Sequence, residues 1–229
     1  QAGKRVIVNN VPVTYPPDRV NGLMVSGLLT PAGASDASWP PELQQELMQA
    51  VPRFNFSPPG MHSPDKDVEF VRAVRDLVST SLQATRYLMD RQPWDCLVSV
   101  FMSTDIMSHF MWKYMESDGA AAPAHLRGLL SRAVQDCYCD ADKALGELLD
   151  AAGPDTYVVV MSDHGFGGMD AYMSVNAWLL ERGYIKIKRT PLSQLRYRLY
   201  RLGATPLAVY GLLLKLHMGE SMRQTSRKN

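Results

Sequence analysis

Residues 95–109 read DCLVSVFMSTDIMSH, and their reading decides the fold. Asp95–Ser103 is a continuous apolar run of strand length, as expected of a central parallel strand buried on both faces. The run ends in a polar cluster that holds Asp105 and His109. If a helix begins near Thr104, their spacing of four puts both on one face, one turn apart. Carboxylate and imidazole are suitable ligands for Zn²⁺ or Mn²⁺. The structural alternative is a helix capped by Thr104 or Asp105, with His109 packed into a core.

The pattern recurs downstream. Thr156–Ser162 (TYVVVMS) reads as a second buried strand, and Asp163, His164, Gly165, Phe166, Gly167 and Gly168 follow it directly. A charged Asp at a strand end needs a compensating partner. The glycines let the backbone turn sharply and approach a ligand closely. A glycine-rich turn with a capping Asp is the structural alternative. Taken together, the clusters supply two Asp and two His, each pair just past a strand. In open α/β sheets functional residues occupy that position. A pair of metal sites, with ions roughly 3.5–4 Å apart, uses such a set to clamp a phosphoryl group.

The rest of the chain frames these clusters. Lys4–Asn9 and Gly22–Gly27 read as short strands around a proline-rich loop, VPVTYPPDRVNG. Residues 30–64 are rich in Pro, Ser, Gly and Ala and read as an insertion or lid, with PELQQELMQAV as a short helix. Apolar residues at 68, 71, 74, 77, 78, 82 and 88 form a helical stripe over Asp65–Asp90. Leu126–Ala151 carries a second one. Val175–Arg182 reads as a helix closed by Gly183, and Tyr184–Lys188 as a strand. Alternation of strand and helix predicts an α/β domain over 1–188, with a mainly parallel sheet flanked by helices. Residues 189–229 are expected to form a basic helical segment or to start a further insertion.

Composition excludes extremes. The 229 residues are 46% hydrophobic and 21% charged with net charge +1, which gives no pull toward nucleic acid as a whole. The sum hides an asymmetry: residues 1–181 carry a net −9 and residues 182–229 a net +10. Cys96, Cys137 and Cys139 lack disulfide or zinc-knuckle spacing and read as buried, inert thiols, which suggests a cytoplasmic location. No leader is visible, and Leu207–Leu216 is too short for the roughly 20 residues that span a bilayer.

VVVMSDHGFGG resembles the signature of the type I phosphodiesterase/nucleotide pyrophosphatase family of the alkaline phosphatase superfamily. STDIMSHFMWKYM resembles that family's upstream motif, an Asp and a His four apart followed by aromatics. NNVPVTYPPDRVNGLMVSG is similar to the stretch its prokaryotic members carry before those motifs. The likeness spans residues 3–190. It implies an incomplete alkaline-phosphatase-like fold and hydrolysis of phosphate esters. It also implies two divalent metal ions, Zn with Mn as the alternative. By resemblance, Asp105 and His109 hold one ion, together with a distant His. Asp163 and His164 hold the other, with an upstream Asp and a Thr or Ser nucleophile. No counterpart of that Asp or nucleophile is found; both are expected upstream of Gln1, so the chain alone is expected to be inactive. His217 lies in a context unlike that of the distant His. Phosphatase, sulfatase or phosphomutase chemistry on the same framework, or a non-catalytic metal-stabilised binding domain, are the alternatives.

Other residues receive structural readings. His62 reads as a solvated loop residue, His125 as a helix-start residue and Asn176 as a helix cap. Trp112 and Tyr114 read as core, with a substrate cleft as the alternative. The expected substrate is a small phosphate ester, with no specific nucleic-acid recognition. For the basic segment 189–217 three readings stand: a helical pair packed on the acidic remainder, an electrostatic funnel for phosphate, or peripheral contact with an anionic membrane.

Overall fold

Val6–Val11 (β1) and Gly22–Ser26 (β2) lie side by side and parallel, with Ile7 opposite Leu23 and Val8 opposite Met24. In this computed structural model the described residues are 3–203, apart from 32, 56–61, 170 and 189. Ser38–Trp39 (β3) joins the far edge of β2 antiparallel, and Cys96–Ser99 (β4) joins β1 parallel. The strand order is β3-β2-β1-β4. Gly22 is required where β2 starts. Its φ is +149°, and a Cβ there would lie 1.9 Å from the Val6 carbonyl oxygen.

Leu43–Ala50 (α1) and Asp67–Arg91 (α2) cover the sheet. Leu43, Leu47, Ala84 and Leu88 meet Ile7, Leu23 and Val25 in one core. A second core is helical. Ser103–Glu116 (α3) and Arg127–Ala152 (α4) pack Met107, Met111, Leu130, Val134 and Cys137 against Val71, Val74 and Val78 of α2. Ion pairs lace the outside, including a two-bond contact from the Arg75 guanidinium to Asp140. A buried polar knot joins sheet and helix: the Asn9 amide donates to Thr85 Oγ1 at 3.0 Å, and the Thr85 hydroxyl lies 2.9 Å from Ser99 Oγ.

The chain forms two compact units, 1–168 and 169–229. The second contains Val175–Glu181 (α5), capped by Ser174, and Pro191–Arg201 (α6), with a reciprocal cap between Thr190 and Ser193. Leu207–Leu216 and His217 lie outside the described residues.

The architecture is the expected α/β, with a mostly parallel sheet flanked by helices. Several local readings change. Among the described residues β4 is an edge strand rather than a central one, and Val98 is 46% exposed. Among the described residues Thr156–Ser162 pairs with no strand, and Tyr157, Val159, Val160 and Met161 face solvent. An apolar run supplies β-branched side chains, but a strand also needs a neighbour for its N–H and C=O groups, which local sequence does not specify. Tyr184–Lys188 is likewise exposed and unpaired as a strand. Cys137 alone of the three thiols is buried, and burial pushes it up to about 11. Ser174, not Asn176, caps α5: its hydroxyl accepts from Ala177 N–H.

Candidate functional site

The β4–α3 connection carries the first cluster, and the frame beneath it is stiff. Met107 and Met111 anchor the inner face of α3 in the core. The Ser108 hydroxyl donates to the Thr104 carbonyl at 2.7 Å, within the helix's first turns. From β1, Asn10 adopts φ 59° and donates its amide to the Val100 carbonyl at 2.9 Å. That bond ties the loop before Asp105 to the sheet. The αL conformation it uses is one that Asn tolerates better than most residues.

Asp105 occupies the first turn of α3, where the helix dipole favours a carboxylate. His109 follows one turn later, its Nε2 3.5 Å from Asp105 Oδ1. The second cluster reaches the same atom: His164 Nε2 lies 3.6 Å from Asp105 Oδ1. Both separations are longer than a hydrogen bond. Asp105 Oδ1 is buried with no hydrogen-bond partner. Asp163 stands apart, its side chain 90% exposed and its Oδ1 3.9 Å from His164 Nε2.

The tautomer of His164 follows from its neighbours. Its Nδ1 lies 2.8 Å from the Gly165 carbonyl oxygen, which only accepts, so Nδ1 carries the proton. In the neutral ring Nε2 then presents a lone pair toward a carboxylate oxygen. Two such electron-rich atoms repel unless a proton or a cation lies between them. The Gly165 hydrogen bond first, then the charges of Asp163 and Asp105, hold the His164 imidazole above its usual range.

Phe166 positions the two histidines. Its ring meets His109 edge-on at 4.9 Å and lies 5.2 Å from Trp112. Gly168 passes close to the end of α3: a Cβ there would sit 2.3 Å from Glu116 Oε1. Nothing in the local pattern marked Phe166 or Asn10, because each acts through a contact distant in sequence.

Of the sequence-derived site residues, Asp105, His109 and His164 come together and Asp163 turns to solvent. Among the described residues, no group of three or more His, Cys, Asp and Glu side chains encloses a metal position. The donors still suit a divalent ion. The orphaned Oδ1 and the Nε2 facing it are a carboxylate and an imidazole oriented by a backbone carbonyl, the usual arrangement of a metal-binding histidine.

The surprise lies on the other side of α3. His62 is not solvated: its side chain is 8% exposed, and its Nε2 lies 2.5 Å from Asp67 Oδ1. The Tyr114 hydroxyl donates to Asp67 Oδ2 at 2.5 Å. Phe70 and Phe110 flank the imidazole, with ring centroids 4.9 and 4.8 Å away. Tyr114 is core rather than cleft, and burial together with Asp67 pushes its phenol up to about 12. His125 sits in the short 3-10 turn Ala124–Leu126 that leads into α4, the helix-start position expected of it.

No curated protein and no solved structure matches the chain. A family model described as type I phosphodiesterase / nucleotide pyrophosphatase matches residues 1–215. With the match covering nearly the whole sequence, the chain belongs to the type I phosphodiesterase/nucleotide pyrophosphatase family of the alkaline phosphatase superfamily.

Proposed function

We propose that this chain carries the metal-binding portion of a phosphodiesterase or nucleotide pyrophosphatase centre acting on small phosphate esters. Family membership supports phosphoester hydrolysis. The observation that carries the metal reading is Asp105 Oδ1, buried without a partner and faced by two imidazole nitrogens at 3.5 and 3.6 Å.

In this reading Asp105 and His109 hold one divalent ion, and Asp163 and His164 hold a second, Zn²⁺ or alternatively Mn²⁺. Such ions neutralise the charge that develops on a phosphoryl group and on its leaving oxygen. The protein's own part is orientation. The Gly165 carbonyl fixes the proton on His164 Nδ1, so that the neutral ring offers its Nε2 lone pair inward. Phe166 packs edge-on against the His109 ring and orients it. Asn10 holds the loop before Asp105. Of the hydroxyls near the site, Ser162 donates to the His164 carbonyl at 2.6 Å and Ser108 to the Thr104 carbonyl. The resemblance to the family assigns the nucleophile to a Thr or Ser with no counterpart found in this sequence, and the chain alone is expected to be catalytically silent.

Titration calorimetry with Zn²⁺ and Mn²⁺ on the purified chain tests the reading. Wild type should bind, and Asp105→Ala and His164→Ala should each lose at least roughly tenfold in affinity, the scale of a lost ligand or its support. Absence of binding in wild type, or variants that bind equally well, would reject it. Turnover of bis(p-nitrophenyl) phosphate abolished by His164→Ala would keep the metal site and overturn the external nucleophile.

A further inference from the structure

The second unit contains a helix with no buried residue at all. Along α6, Leu192, Leu195 and Leu199 recur at spacings of three and four, and Leu202 at the C-cap continues the row. At 3.6 residues per turn these form one stripe. All four are between 46% and 83% exposed. Arg196 falls on one border of the stripe and Arg198 on the other, with Arg201 on the polar face. The helix needs little outside help to form: Pro191 begins it, Thr190 and Ser193 cap each other, and Arg198 and Arg201 complement the dipole of its last turn.

Charge says what such a face can lie on. Residues 182–203 contain seven Lys and Arg and no Asp or Glu. A free phosphate or a nucleic acid would use the arginines but has no use for an exposed leucine row. An anionic bilayer uses both, because leucines enter the acyl boundary while flanking arginines reach up to the headgroups. Among the described residues no helix is long and apolar enough to cross a membrane, so this contact lies in the plane of the interface.

We propose that α6 is a membrane-surface helix, which docks this chain on anionic phospholipid through Leu192, Leu195, Leu199 and Leu202 with Arg196 and Arg198 at the headgroups. The proposal is independent of the metal reading. Each basic residue near an anionic surface contributes roughly fivefold to partitioning.

Cosedimentation of the 229-residue chain with vesicles tests it. The chain should partition onto phosphatidylcholine vesicles that contain phosphatidylserine, and much less onto phosphatidylcholine alone. Arg196→Gln/Arg198→Gln should weaken binding roughly 25-fold. Leu195→Gln/Leu199→Gln should weaken it at least about tenfold, with far-UV circular dichroism unchanged. If that pair alters helicity, Leu192→Gln/Leu202→Gln interrogates the same stripe. Inorganic phosphate at matched ionic strength should not displace the chain. No binding to anionic vesicles, displacement by phosphate, or leucine variants that bind like wild type would each overturn the proposal.

Discussion

Cys96–His109 and Thr156–His164 have the same grammar, an apolar run followed by a polar turn with an Asp and a His, yet they end in different physical states. The first run pairs with β1, and the helix after it drives two methionines into a shared core. The second run pairs with nothing among the described residues, and its Val159 is 82% exposed. Equal hydrophobicity therefore does not mean equal placement. What separates the two is tertiary. β4 has a neighbour that can take its hydrogen bonds, and α3 has a partner helix for its apolar face. Asp105 inherits a fixed position from both. His164 is held by local contacts with Ser162, the Gly165 carbonyl and the Phe166 ring, and Asp163 stands in solvent.

The strongest way to break the comparison is to remove the frame. Gly22→Ala would drive a Cβ into the Val6 carbonyl, a backbone atom that cannot swing aside. The φ of +149° disfavours any L side chain as well. We expect at least about 3 kcal/mol of destabilisation, because strain and lost β1–β2 pairing act together. Chemical denaturation measures it. A variant as stable as wild type would mean that the sheet does not hold the Asp105 cluster in place.

Truncating one side chain in each region sharpens the contrast. Met107→Ala empties a fully buried site and should cost about 2–5 kcal/mol. Val159→Ala removes methyl groups already in water and should stay within about 0.5 kcal/mol. Denaturation midpoints of the two variants should therefore separate widely. Similar losses would place Val159 in a core that the exposed geometry denies it.

These contrasts explain how much could be read in advance. Both polar clusters, the long helices α2 and α4, and strands β1 and β2 were legible, because period and turn chemistry are local signals. The parallel sheet followed from alternation. The state of Thr156–Ser162 was not legible, since its run is as apolar as a core strand and only a partner makes it one. His62 escaped for a similar reason. HSPD looks like a solvated turn in isolation, but Asp67 bonds the imidazole and the rings of Phe70 and Phe110, the latter from a helix distant in sequence, flank it. The convergence of His109 and His164 on one oxygen of Asp105 is a distance between clusters that spacing within each does not encode.

The Asp67 network offers a gentler perturbation of the stiff region. Tyr114→Phe keeps the ring and deletes a buried donor to a carboxylate, so it should cost roughly 1.5–3 kcal/mol. It also has a pH signature. The folded phenol, at about 12, holds its proton more tightly than the ordinary value of 10.0. Its contribution is thus complete below about pH 10 and is lost as pH rises toward 12. Wild type should lose stability across that window, and Tyr114→Phe should lack that part of the decline. Parallel alkaline profiles would mean that the Tyr114–Asp67 bond contributes nothing there.

The smallest expected effect on folding is the most informative about the looser region. Val159→Lys places a charge on a segment whose side chains already meet solvent, so stability should move by no more than about 0.5 kcal/mol. Association is a different matter. An exposed apolar run with free N–H and C=O groups is a template for pairing with another chain, and a lysine at its centre opposes that. Light scattering as a function of concentration should show less self-association for Val159→Lys than for wild type, with coincident unfolding curves. If the lysine instead destabilises the fold by more than about 1 kcal/mol, Val159 is packed in solution. Thr156–Ser162 would then be a core strand like Cys96–Ser99, and the difference between the two regions would disappear.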